Sequence, residues 1–237
     1  VQGRATSFIE VWIEAFDRDG SVVLEGVIGA EQLGHLRATV SRMASDRRQR
    51  GGVRGVLGKV PELRPFAEDG PPARLARAVL GPAARPVKAT LFDKTPAANW
   101  RVPWHQDLSI AVEERREVPG FGPWSVKDGV VHVQPPIAIL EGIVAVRVHL
   151  DAAGPETGAL RVVPGSHRLG RLGPAETESA RTELGEVVCS VAAGGAMFMA
   201  PLLLHASSAS RSPGHRRVLH IEYSALALPA GLRWASA

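Results

Sequence analysis

Val102-Pro103-Trp104-His105-Gln106-Asp107 is the stretch on which the reading of this chain turns. Strand side chains alternate between faces, so a His and an Asp two residues apart share one face. A neutral imidazole beside a carboxylate suits a borderline divalent metal. The spacing predicts a strand from Val102 to Ile110 that presents His105 and Asp107 together. Two protein ligands hold a metal weakly, so another segment has to supply a third and account for the coordination positions left open.

The third ligand is sought among His35, His132, His149, His167, His205, His215 and His220. His35 falls on an amphipathic helix and is expected to be solvated. His205 follows the apolar run Met197 to Leu204, where a buried ring needs a partner. Alone, it reads most simply as a histidine bonded to backbone. Beside a His/Asp strand in an antiparallel barrel, it reads as a metal ligand. His149-Leu150-Asp151 repeats the two-apart spacing, but Asp151 opens Asp151-Ala152-Ala153-Gly154-Pro155, which is turn chemistry. Spacing alone does not separate the two pairs. Arg216 lies eleven residues beyond His205. A guanidinium there can pair bidentately with the far carboxylate of a dicarboxylate whose other end chelates the metal. Ser207 can add a hydroxyl. The competing reading makes Arg216 and Arg217 two surface arginines, and Arg217 is expected to be one.

The chain outward from this region has 237 residues, 45% hydrophobic and 22% charged, enough to bury a full core in one domain. Its net charge is +4, with a basic cluster at Arg47, Arg48, Arg50 and Arg54. No aromatics interleave with that cluster, so no nucleic-acid partner is expected. One cysteine, Cys189, excludes an intramolecular disulfide and suits a reducing cytoplasm. No apolar run approaches the ~18 residues of a membrane span, and the N-terminus carries no signal-peptide pattern.

Helical spacing comes first. Ser7 and Glu10 form a capping box before Trp12, Ile13 and Phe16. Leu33, Leu36, Val40 and Met43 share a second helical face. Pro71-Pro72 opens a third helix, stopped at Gly81-Pro82. Short strands follow: Pro86 to Phe92, Val102 to Ile110, Ile143 to Leu150, Gly158 to Val163, and Arg217 to Tyr223. Val187 to Val191 and Ala196 to Met199 flank Gly194-Gly195 as a hairpin. Residues 45–58, 113–136 and 168–185 read as loops. The pattern predicts a mostly β, α+β chain. Residues 1–84 form a mainly helical flank and 85–237 an antiparallel barrel or sandwich core, all in one domain.

With these residues in view, the chain resembles the phytanoyl-CoA dioxygenase family of iron(II)- and 2-oxoglutarate-dependent oxygenases. The resemblance rests on Phe16 to Leu24, Leu91-Phe92-Asp93-Lys94, Trp104 to Asp107, Gly158 to His167, His205-Ala206-Ser207 and Arg216, taken in order. It implies a double-stranded β-helix, the cupin-like jelly roll, with helices packed outside. It implies His105, Asp107 and His205 as iron ligands, and Arg216 assisted by Ser207 for 2-oxoglutarate. Arg147, Lys94 and Trp104 are second-rank pocket candidates, and His167 is structural. Dioxygen is the co-substrate, and no separate acid or base is assigned. The implied reaction hydroxylates an unactivated C–H bond of a small molecule, releasing succinate and carbon dioxide. Asp107 fills the position that halide-transferring relatives leave small. Two positions depart from the family pattern: Ser210, where Asn is frequent, and Asp93 before Lys94. Basic residues in the loops suit an anionic substrate. The alternative is a non-catalytic, metal-binding cupin-like protein that captures a ligand. Oligomeric state is not readable.

Overall fold

Charged residues alternating with aliphatic ones along the strands build two faces of very different use. In the computed structural model, residues 8–42, 52–212 and 214–235 are described. Ser7, Met43, Arg47, Arg48 and Arg50 lie outside the described residues. The largest sheet takes β1 (Ser21–Leu24), β11 (Ala196–Met199), β8 (Ile143–His149), β13 (Arg216–Ser224), β3 (Arg85–Lys94) and β2 (Val53–Arg54) in that spatial order. A second sheet runs β10 (Val187–Cys189), β9 (Leu160–Val162), β12 (His205–Ser207) and β4 (Val102–His105). A small third sheet joins β5 (Ile110–Val112), β7 (Val130–Val133) and β6 (Trp124–Lys127). All pairings between named strands are antiparallel.

The aliphatic face of the large sheet is its outer face. Val144, Val146 and Val148 of β8 and Ala89 and Leu91 of β3 pack in one core with helical side chains. These come from α1 (Phe8–Asp19), α2 (Ala30–Ser41), α3 (Val56–Lys59), α4 (Arg64–Asp69) and α5 (Pro71–Leu80). Trp12 and Phe16, one turn apart on α1, both meet the Phe198 ring edge-on, at 5.1 and 5.7 Å. Gly20 ends that helix with φ of +76°, and a Cβ there would fall 2.4 Å from His167 Nδ1. Beneath the sheet, Ala145, Met197 and Met199 meet Leu160, Val162 and Leu203 of the second sheet's side. This is the jelly roll with helices outside that the resemblance implies.

Several local expectations change. The strand carrying the His/Asp pair stops at His105, and Asp107 lies beyond it. Gly194-Gly195 is not a hairpin, because β10 and β11 belong to different sheets. It is a corner between them, with Gly194 N–H donating to His149 O at 2.8 Å. The described part of 45–58 contains β2 and α3, not a continuous loop. Residues 113–136 contain the β6–β7 hairpin, and 168–185 contain α7 (Pro174–Leu184). α6 (Ile137–Glu141) leads into β8.

Asp151 does more than form a turn, and Arg217 is not a free surface residue. The Asp151 carboxylate accepts from Arg217 N at 2.9 Å, Nε at 2.8 Å and Nη2 at 2.9 Å. Arg37 Nη2 approaches it at 3.4 Å. Burial opposes its charge, but Arg217 and Arg37 hold its pKa below the usual carboxylate value. A depressed folded pKa stabilises above the unfolded value of ~3.9, and that contribution fades as pH falls through the folded value. Asp151→Asn is therefore expected to cost about 2 kcal/mol at pH 7 in urea unfolding. The gap to wild type should close towards pH 3, and a gap independent of pH would remove the ion pair from the account.

Candidate metal centre and its cavity

His105 and His205 face each other in register across β4 and β12, with ring centroids 4.2 Å apart. His105 Nδ1 lies 2.9 Å from Pro103 O, and His205 Nδ1 lies 2.8 Å from Leu203 O. A carbonyl oxygen can only accept, so both Nδ1 atoms carry the proton and both Nε2 atoms keep a free lone pair. Those lone pairs meet Asp107. His105 Nε2 is 3.7 Å from Oδ1, and His205 Nε2 is 3.8 Å from Oδ2. The three ligand atoms lie within 4.8 Å of one another.

Asp107 is held there by backbone and by its neighbour. Its N–H donates to Pro201 O at 2.8 Å. Gln106 donates from Nε2 to Gly170 O and Leu202 O, both at 2.7 Å, and accepts from Leu172 N at 2.9 Å. The middle residue of the motif thus points away and anchors the segment after the strand. Burial works against the Asp107 charge, but His205, Lys88, His220 and His105 hold its pKa well below the usual range. Burial lowers His205 to about 4, outweighing the attraction of Asp107. Two neutral imidazoles and one carboxylate form the donor set that suits a non-haem iron(II) site with open positions.

One end of the cavity carries buried cations. Arg216 on β13 pairs in register with Lys94 on β3, and both are buried. Arg216 Nε and Nη1 have no partner, and burial pulls its pKa down to about 10. Lys94 Nζ donates to Ser207 Oγ at 2.9 Å and Ser208 O at 2.5 Å, and lies 5.5 Å above the Trp100 ring. Burial, then Arg216 and Arg147, lower Lys94 to about 7. No carboxylate lies within ion-pair distance of Arg216 or Lys94 among the described residues. Buried guanidinium N–H groups left unbonded are costly, and a carboxylate ligand satisfies them in pairs.

Arg147 also reaches the cavity. Its Nη1 lies 3.0 Å from His220 Nδ1. Arginine only donates, so Nδ1 accepts and His220 Nε2–H points at Glu222 Oε1, 3.3 Å away. Lys88 Nζ donates to the same oxygen at 2.6 Å. Asp107, His220 and Glu222 also bring ligand atoms within 4.8 Å, but His220 Nε2–H and the Lys88 ammonium both turn to Glu222 Oε1, so His220 offers no free lone pair there.

Trp104 does not line the cavity. It alternates outward from His105, with Arg161 at 5.1 Å and Arg181 at 4.9 Å over its ring. Trp100 takes that place. Asp93 turns away from the cavity and pairs with His215 at 2.8 Å. Ser210 exchanges backbone hydrogen bonds of 2.7 and 2.8 Å with the Asn99 side chain. Lys88 and Glu222 line the cavity without having been singled out for the site, and Trp100, His132 and His220 line it without being metal ligands in the His105, Asp107 and His205 set. For Lys88, His220 and Glu222 the signal was the two-residue spacing of polar side chains on β3 and β13.

His149 stays outside the metal cluster. Both ring nitrogens are buried without partners, and burial, then Arg147 and Arg216, push it down to about 3. Its folded pKa lies below the ordinary ~6.5, so the unfolded chain takes up a proton that the native state refuses, and stability falls as pH drops below ~6.5. His149→Leu should keep iron stoichiometry and remove about 1.4 kcal/mol per pH unit of acid sensitivity below that value. Urea unfolding at pH 7 and pH 5 with metal analysis tests both. Loss of iron would make His149 a ligand.

The family described as phytanoyl-CoA dioxygenase matches residues 16–218. The ectoine dioxygenase of Sphingopyxis alaskensis is 26% identical over 168 residues, covering 65% of this chain and 48% of that protein. The chain thus spans about half the length of that relative. The structure of EctD from S. alaskensis with 2-oxoglutarate and 5-hydroxyectoine superposes with a TM-score of 0.71 at 20% identity, over 94% of this chain and 78% of that one. SnoN, an alpha-ketoglutarate-dependent epimerase of nogalamycin biosynthesis, gives a TM-score of 0.70 at 20% identity, over 91% and 80%. These likenesses place the fold.

Proposed function

The chain belongs to the phytanoyl-CoA dioxygenase family, and from that premise we propose an iron(II)- and 2-oxoglutarate-dependent dioxygenase that hydroxylates an unactivated C–H bond of a small-molecule metabolite. His105, Asp107 and His205 would hold iron. Arg216, with Ser207 and Lys94, would hold the distal carboxylate of 2-oxoglutarate. One observation carries this reading. Two histidines with Nε2 freed by backbone carbonyls converge on Asp107, in a cavity whose far end holds an unpartnered guanidinium.

Bound there, iron(II), 2-oxoglutarate and dioxygen together supply an oxidant able to break such a C–H bond, with succinate and carbon dioxide as co-products. The chain's own residues bind and orient. The carbonyls of Pro103 and Leu203 fix the two tautomers, as outer-shell partners do at metal sites. Gln106 keeps Asp107 from swinging out with the loop. Arg216 gives a dicarboxylate one direction in which to lie. No side chain is assigned as a separate acid or base. EctD is known in complex with 2-oxoglutarate and 5-hydroxyectoine and SnoN is an epimerase, so this fold carries more than one outcome. The carboxylate at Asp107 fills the position that a halide would need, which favours hydroxylation over halide transfer. No helix among the described residues is long and apolar enough to cross a membrane, and the buried free thiol of Cys189 suits a reducing cytoplasm.

Anaerobic addition of iron(II) and then 2-oxoglutarate should produce a visible charge-transfer band, and admitting oxygen should release succinate. Folded protein that binds iron but shows neither band nor succinate would instead be a metal-binding ligand carrier.

A further inference from the structure

The cavity has a second polar end, opposite Arg216, and its chemistry selects the substrate. Lys88 and Lys94 lie on the same face of β3, six residues and so about 20 Å apart. Lys94 pairs in register with Arg216, and Lys88 with Glu222. The Lys88 end is lined by Arg54, Lys88, Ser109, Lys127, His132 and Glu222, with no large apolar side chain among them. The apolar lining gathers at the other end. Val102 and Leu160 both pair with Ser207, Trp100 lies beneath Lys94, and Phe92 packs under Arg147.

The charges at this end leave one cation over. Glu222 takes Lys88 at 2.6 Å and Asp128 takes Arg54 at 2.7 Å. Lys127 Nζ touches only Ser109 Oγ, at 3.3 Å, with no carboxylate within ion-pair distance among the described residues. Its side chain is exposed, but partial desolvation at the cavity mouth, followed by Lys88 and Arg54, lowers its pKa. Acceptors are also free. His132 Nδ1–H donates to Val130 O at 3.0 Å, leaving Nε2 bare. Lys88 and His220 both use Glu222 Oε1, leaving Oε2 for a ligand.

We propose, resting on the iron and 2-oxoglutarate assignment above, that the substrate is a compact hydroxylated acid. Lys127 holds its single carboxylate or phosphate, and its hydroxyl groups donate to Glu222 and His132. An acyl thioester with a hydrocarbon tail is excluded. Its methylenes would strip water from the Lys88–Glu222 pair and give nothing back. The cavity, about 280 Å³, is at the small end of ligand pockets of ~300–1,000 Å³, and it also has to admit the co-substrate.

The experiment titrates the anaerobic iron(II) protein at saturating 2-oxoglutarate, which keeps other anions off Arg216. The probes are glycerate, glycerol 3-phosphate, glycerol and S-octanoyl-N-acetylcysteamine, followed by calorimetry. One of the two acids should bind, which separates carboxylate from phosphate, while glycerol and the thioester should not. Lys127→Gln, on the exposed flap, should weaken the acid at least ~10-fold, about 1.4 kcal/mol. Glu222→Gln should weaken glycerate more than acetate, which has no hydroxyl. Thioester binding as tight as the acids, failure of both acids, or acid affinity unchanged in Lys127→Gln would each overturn the proposal. A missing charge-transfer band with Lys127-dependent acid binding intact would strike the iron assignment instead.

Discussion

Asp107→Ala is expected to give a folded protein that loses iron on desalting and forms no succinate. Asp107 supplies the only negative charge in the proposed ligand set. Without it, two imidazoles remain on β4 and β12, and two neutral ligands hold iron(II) poorly. Losing an outer-shell partner already costs ~10–100-fold in metal affinity, and loss of the carboxylate itself should exceed that. The fold should survive, because Asp107 lies beyond the end of β4 and its backbone N–H, not its side chain, bonds to Pro201. Its side chain is 29% exposed. Metal analysis, succinate measured by NMR and circular dichroism together decide the matter. Full iron retention with native dichroism would move the metal elsewhere, and loss of dichroism would make Asp107 structural. His105→Ala should behave alike, since its Nε2 is freed for nothing else the structure provides.

Strand alternation was legible because period two is a local property. The outward set on β8, Val144, Val146 and Val148, and the inward set, Ala145, Arg147 and His149, separate as the sequence pattern predicts. What local pattern hides is which side is wet. The helices cover the aliphatic face, so the polar face of β3 lines the enclosed cavity instead of meeting bulk solvent. Lys88, Thr90 and Lys94 look like solvated residues in sequence for that reason. The rival pair at His149 and Asp151 could not be dismissed by spacing. It fails because Arg217 and Arg37 take up Asp151, and no third ligand atom meets His149 among the described residues. Trp104 shows the same rule from the other side. Its place next to His105 in sequence puts it on the opposite face, among arginines. Gln106 carried no local signal at all, since its partners lie 64 to 96 residues away.

Arg216→Met separates a residue kept for binding from one kept for the fold. A guanidinium held for stability lowers the melting temperature when it is removed. Arg216 is 3% exposed, with Nε and Nη1 unbonded. Replacing an unpaired buried cation by an apolar side chain of similar length is neutral or stabilising. The apoprotein of Arg216→Met is therefore expected to melt no earlier than wild type. Its 2-oxoglutarate affinity should fall about 100-fold, since truncating one partner of a buried charge pair costs ~2–5 kcal/mol. Iron stoichiometry should not change. The residual affinity should acquire a pH dependence with a definite sign. Lys94 is the remaining cation at that end that titrates in the neutral range, lowered to about 7 by burial and by Arg216 and Arg147. Loss of Arg216 removes a neighbouring positive charge, and a bound carboxylate adds a negative one. Both raise the Lys94 pKa. Residual binding should be strongest at low pH and fade as pH rises through that raised value, whereas wild type, with Arg216 charged throughout, should vary far less. Calorimetric titration with 2-oxoglutarate between pH 6 and pH 9 reads both effects. An unchanged affinity, or a lowered melting temperature at full affinity, would assign Arg216 to the fold.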